Sequence, residues 1–236
     1  MSNVDSDEHR KIKSFYDDIY YKGANVSNTP TRHHRMLAAK LKVNDTSHVL
    51  DVACGLGEFL TACHERGAQV TGVDLSEHAI SLCKEALPEG SFHACNAELL
   101  PFDNDAFDLV TCLGSLEHFM DPISAIKEMV RVAKPDALFV LLVPNRDFLT
   151  RKIGLYSGTF QVDAKEDVRS LEEWNTIFES AGLKVHKRWK DLHVLSWKWI
   201  STGHWYAAPI RAAQAAALTV WPLKWQYQVF HLAKSS

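Results

Sequence analysis

The residues best suited to chemistry are an acid, two glycines and a second acid. Asp51 stands inside the apolar run of residues 49–53, Gly55 and Gly57 follow it, and Asp74 comes after a short intervening segment. Glycines without Cβ atoms let a ligand lie against the backbone, and the helix they open offers free N–H groups. A carboxylate so close before Gly55 repels a pyrophosphate but suits an ammonium or a hydroxyl. Leu60 also fills the place of the third glycine in the dinucleotide fingerprint G-x-G-x-x-G. An ordinary strand–turn–helix with a glycine turn remains the alternative. Asp74, ending a run that reads as a strand over 69–74, is placed to accept hydrogen bonds from the two hydroxyls of a ribose. His118 is the side chain in its segment suited to taking a proton near neutral pH, or to bracing the loop. Arg32 and His33, beside His34 and Arg35, could meet an anionic substrate or simply form a solvated helix start.

These side chains need elements to hold them. Strands are expected over 49–53, 69–74, 91–95, 107–113, 137–143, 183–194 and 226–233. Helices are expected over 8–22, 31–41, 58–66, 76–87, from Asp121-Pro122 onward, 170–182 and 206–220. Ser76 reads as an N-cap, and Ser170 with Glu173 as a capping box. In the first helix Ile12, Phe15, Tyr16 and Ile19 share one face. Alternation of strand and helix implies a doubly wound, mostly parallel sheet with helices on both faces.

Composition narrows the class. A hydrophobic content of 46%, a charged content of 23% and a net charge of −3 describe a soluble globular chain and give no argument for nucleic-acid binding. The N-terminus is polar and acidic, and no apolar run is long enough to cross a bilayer, so a cytoplasmic protein is expected. The five cysteines show no paired or metal-ligand spacing and read as reduced, packed thiols. Five of the seven tryptophans crowd between Trp197 and Trp225 around an alanine-rich helix. That segment reads as a helix over the sheet edge, or as a cap on an aromatic or lipid-like substrate with peripheral membrane contact.

The stretch from Asp51 to Gly57, then Asp74, then Asn96-Ala97-Glu98-Leu99-Leu100-Pro101-Phe102 together resemble the class I S-adenosylmethionine (SAM) methyltransferases, of the small-molecule type that includes the ubiquinone-pathway O-methyltransferases. The resemblance covers roughly residues 45–195. It implies a seven-stranded sheet, SAM as cofactor, and cofactor contacts from Asp51, Ala53, Gly55, Gly57, Asp74, Leu75, Asn96, Ala97, Glu98, Leu113 and Tyr16. Asp51 would hold the amino end of SAM, and Asn96, where Asp is usual, would accept from the adenine amine. The resemblance further implies a lid carrying Tyr16, Tyr20 and Tyr21, and a substrate pocket lined by the connection that carries Tyr156 and Phe160. Some relatives carry E-x-x-E-H where this chain has Gly114 to His118; only Glu117 and His118 match, and no metal is expected.

The expected organisation is one domain over 1–236, with lid helices in 1–42, a cofactor-binding core in 45–195, and an aromatic-rich cap helix inserted before the last strand in 196–236. The expected activity is methyl transfer from SAM to a hydroxyl or carboxylate of a small metabolite, with His118 as catalytic base. N-methylation, a nicotinamide-dependent oxidoreductase and a non-catalytic SAM-binding protein remain alternatives. The protein is expected to be a monomer or homodimer.

Overall fold

The computed structural model describes residues 12–23, 29–152, 154, 167–195, 200–201, 206 and 208–236. After a π-helical turn at Tyr16–Tyr20, the elements run α1 (Arg32–Lys40), β1 (His48–Val52), α2 (Glu58–His64), β2 (Gln69–Asp74), α3 (Glu77–Ala86), β3 (Ser91–Ala94) and β4 (Phe107–Leu113). They continue with α4 (Pro122–Val132), β5 (Ala133–Pro144), a single turn α5 (Leu149–Lys152), α6 (Leu171–Ser180), β6 (Leu183–Lys190), α7 (Ala208–Val220) and β7 (Gln228–Ser235).

The strands form one seven-stranded sheet in the order β3-β2-β1-β4-β5-β7-β6. β1 to β5 pair in parallel, while β7 runs antiparallel between β5 and β6. The chain winds outward from β1 to β3 and then crosses back to β4. That reversal leaves a crevice beyond the carboxyl ends of β1 and β4, where ligands of open parallel sheets sit. The expected sheet and its helical insertion before the last strand are present.

The central strands are apolar because both faces are covered. On one face Leu37, Leu60, Cys63 and Ile80 from α1, α2 and α3 pack together; on the other, Ile126, Met129, Trp174 and Phe178 from α4 and α6 do so. The buried Trp174 indole donates to the Pro144 carbonyl at 2.9 Å, tying α6 to the end of β5. Asp121 caps α4 through Ile123 and Ser124 N–H at 3.0 Å each, and the Ser170–Glu173 capping box forms as expected. At α1 the same box is made by Thr31 with His34 instead of an acid.

Two elements differ from expectation. The first helix winds into a π-turn closed by Tyr21 N–H to Tyr16 carbonyl at 2.9 Å, which rotates Ile19 out to solvent, where it is 62% exposed. β6 stops at Lys190, and Asp191 then turns the chain into a short 3₁₀ helix at His193–Leu195. Among the described residues, no helix is long and apolar enough to cross a membrane. In the tryptophan-rich segment, Trp197, Trp199 and Trp205 lie outside the described residues; α7 buries Ala215 and leaves Ile210 and Val220 exposed.

Candidate active site

A cleft of about 690 Å³, including its open mouth, lies at the sheet reversal. Its floor is Ala53 after β1, Asp74 and Leu75 after β2, and Asn96, Ala97 and Glu98 after β3. Ser115 and His118 close it beyond β4, while Tyr16 and Tyr21 face it from the N-terminal segment.

Asp74 is the electrostatic centre of this floor. Its two oxygens accept from the Gly55 and Ser76 N–H groups at 2.9 Å each. Burial nevertheless pushes its carboxyl above the usual value, so further donors would stabilise its charge. Ser76, whose hydroxyl caps α3 at Ala79 N–H, also donates to Asp17 at 2.5 Å. Lys13 pairs with Glu77. The N-terminal segment is thus pinned to the start of α3, and Tyr16, Tyr20 and Tyr21 form an edge-to-face cluster above the cleft. Burial pushes the Tyr16 and Tyr21 phenols well up, so both stay protonated donors.

The loop after β3 is braced from within. The Asn96 side-chain oxygen accepts from Glu98 N–H at 3.0 Å, and Glu98 accepts from Asp121 N–H at 3.0 Å. One lone pair of the Asn96 oxygen is therefore already used.

Several expected site residues sit elsewhere. Asp51 is 3% exposed and lies outside the cleft walls; Thr111 donates to it at 2.5 Å, and burial raises its pKa to about 7. Gly57 has φ +74, and a Cβ there would meet Cys83 Sγ at 3.2 Å. Its bareness leaves room for the packing of Cys83 from α3. Gly55 differs, since a Cβ on it would stand 3.0 Å from the Tyr21 hydroxyl. Leu113 points away from the cleft into a second cavity, together with Arg32 and His33. The chain leaves the strand at Gly114, whose φ of +76 is left-handed, so Leu113 at the end of β4 and Ser115 beyond the turn face different spaces. Tyr20 is 51% exposed and does not line the cleft. Tyr156 and Phe160 lie outside the described residues.

Other lining residues carried no chemical signal in the sequence. Ile12, Phe119 and Met120 form apolar walls, and Val73 and Cys95 join them by adjacency to Asp74 and Asn96. Among the described residues, no group of three or more histidine, cysteine or acidic side chains could hold a metal ion.

This set of groups fits SAM. A desolvated carboxylate (Asp74) suits a ribose diol, an amide (Asn96) suits an adenine amine, and apolar walls suit the flat base. The sheet order, the antiparallel β7 and this crevice are those of the class I, Rossmann-like SAM-dependent methyltransferase fold, a class whose cofactor is SAM. The methyltransferase domain family matches residues 50–141.

Among individual relatives, the chain is similar to a ubiquinone biosynthesis O-methyltransferase of Coxiella burnetii, 31% identical over 156 residues, covering 62% of this chain and 65% of that one. The chain therefore spans just under two thirds of that relative's length. A protein of the same name from Hahella chejuensis is 28% identical over 203 residues, covering 81% and 83%. The solved structure of a SAM-dependent methyltransferase from Aquifex aeolicus superposes with a TM-score of 0.59 over 97% of this chain and 98% of that one; at 16% identity the likeness concerns the fold alone.

Proposed function

We propose that the chain transfers a methyl group from SAM to an oxygen of a small molecule, a hydroxyl or a carboxylate. The observation that carries this reading is the buried Asp74, held by the Gly55 and Ser76 N–H groups and facing the cleft beside Asn96. When bound, SAM supplies a methyl already activated on a sulfonium, so the protein contributes alignment and a proton acceptor.

Asp74 would accept from the ribose hydroxyls, and Asn96 with the Ala97 backbone would meet the adenine edge. Leu75 and Ala53 would pack against the nucleoside, while Gly55 lets the chain approach it closely. The Asp51 charge, buried behind the glycine loop, would favour the cofactor's ammonium. Tyr16 and Tyr21 would exclude water from above. His118, in the cleft wall, would take the proton of an acceptor hydroxyl as it reacts. The names of the relatives, O-methyltransferases of ubiquinone biosynthesis, support oxygen as the acceptor atom. Assembly as a monomer or homodimer, and contact of the C-terminal segment with a membrane surface, belong to the same proposal.

A nicotinamide cofactor suits the chain less well, because Leu60, at the third glycine position, is fully buried in the core. Transfer of labelled methyl from SAM to a panel of phenols, carboxylic acids and amines tests the reading. Label in phenols or carboxylic acids supports it. Label confined to amines would replace it with N-methylation, and no transfer in a protein that binds SAM would reduce it to a binding function.

A further inference from the structure

The second cavity encloses about 1140 Å³, its open side included, on the other side of the β4 end from the cofactor cleft. Its apolar surface comes from Leu113, Leu142 and Phe230 at the ends of β4, β5 and β7. Its polar wall is assembled from distant parts of the chain. Asp191, just after β6, is buried, its side chain only 3% exposed, and bridges two histidines. His193 Nδ1 lies 2.5 Å from one of its oxygens, and His33 Nε2 of α1 lies 3.3 Å from the other. The His33 ring is also held against Phe230, with centroids 5.9 Å apart, and Phe230 stacks on Trp189 at 5.1 Å.

This arrangement sets the chemistry offered to the cavity. A carboxylate facing Nε2 favours the proton on that nitrogen, which leaves His33 Nδ1 as a hydrogen-bond acceptor. Burial holds His33 below the usual histidine value, with Asp191 opposing, which favours the neutral ring. The Gln228 side chain, also lining the cavity, supplies an amide donor. An acceptor and a donor on the walls of one cavity match a hydroxyl, which gives one hydrogen bond and receives another. Gly114 lies between Leu113 in this cavity and Ser115 in the cofactor cleft, and a Cβ on it would stand 3.5 Å from Gln228 Nε2. The two spaces thus adjoin where the chain has no side chain.

We propose that this cavity binds the body of the methyl acceptor, a flat apolar molecule, and that His33, positioned by Asp191, holds a hydroxyl of that molecule other than the one that reacts. The proposal rests on the methyltransferase reading. It makes His33 a specificity residue, selecting acceptors with a second hydroxyl, while the transfer takes place past Gly114.

The test is a titration of the full chain, with and without S-adenosylhomocysteine, using 1,3-dihydroxybenzene as probe and anisole and benzoate as controls. Imidazole ¹⁵N resonances report binding directly. The diol should shift the His33 resonances, and His33→Phe should weaken its binding roughly five- to tenfold, the worth of one hydrogen bond. Affinity for S-adenosylhomocysteine should not change. His33→Gln keeps an acceptor and should lose less; it carries the comparison if the Phe variant does not fold. An unshifted His33, equal diol affinity in the variants, or a preference for benzoate would overturn the assignment. Failure of S-adenosylhomocysteine to bind the unaltered chain would instead overturn the methyltransferase reading, and the two failures are separately visible.

Discussion

The Tyr21 hydroxyl stands 3.0 Å from the point where a Cβ on Gly55 would sit, so the N-terminal segment rests directly on the glycine loop. The two glycines of that loop therefore do different work. Both are left-handed, at φ +54 and +74, so alanine at either should lower stability by roughly 1–2 kcal/mol. Gly55→Ala should in addition push Tyr21 off the loop and weaken SAM binding, whereas at Gly57 the added Cβ meets Cys83 and should change the affinity of the folded protein far less. Melting curves and cofactor titrations on both variants check this; equal losses of affinity would show the roles to be the same.

Asn96→Asp should hold or raise SAM affinity. A carboxylate can still accept from Glu98 N–H, and it would make a charge-assisted bond to the adenine amine. A large loss on titration would mean that Asn96 uses its NH₂ group toward the ligand.

His118→Ala should lower kcat by about 10²–10⁴-fold for a hydroxyl acceptor, the usual contribution of a general base. SAM affinity should stay nearly constant, and the loss should shrink for a carboxylate acceptor, which arrives ionised. A variant with unchanged kcat for every acceptor would remove His118 from the chemistry.

Acid sensitivity should trace in part to His231. It is fully buried, its Nδ1 lies 3.1 Å from the Val229 carbonyl, and burial lowers its pKa to about 4. The unfolded chain takes a proton near pH 6.5, whereas the folded protein resists until about pH 4. Its contribution is therefore present above pH 6.5 and lost as pH falls toward 4, by at most about 3 kcal/mol. Urea unfolding of His231→Leu should lose less stability than the unaltered protein between pH 6.5 and 4.5; parallel profiles would assign the acid sensitivity elsewhere.

Much of the scaffold was legible because it is local. Asp74 at a strand end, Ser76 and Ser170 as caps, and Asn96 after β3 follow from patterns within a few residues. What escaped depends on chain segments meeting in space. Nothing in the sequence marks Asp191, whose meaning comes from His33, far away on α1. Asp51 was conspicuous as an acid, yet pairing of β1 with β4 puts it beside Thr111 and behind the cleft. Leu113 and Ser115, two apart, look as if they share a strand face, but the left-handed turn at Gly114 sends them into different cavities. The π-turn at Tyr16–Tyr20 breaks the helical spacing that placed Ile19 inward.

The most direct test is calorimetric titration of the full chain and of Asp74→Ala with S-adenosylhomocysteine and with NAD. The unaltered protein should bind S-adenosylhomocysteine saturably and one to one, and give no saturable signal with NAD. Asp74→Ala, folded by circular dichroism, should bind it about tenfold to a few hundredfold more weakly, since two hydrogen bonds to a carboxylate are lost with partial replacement by water. Saturable binding of NAD in place of S-adenosylhomocysteine, or undiminished affinity in a folded Asp74→Ala variant, would contradict the account.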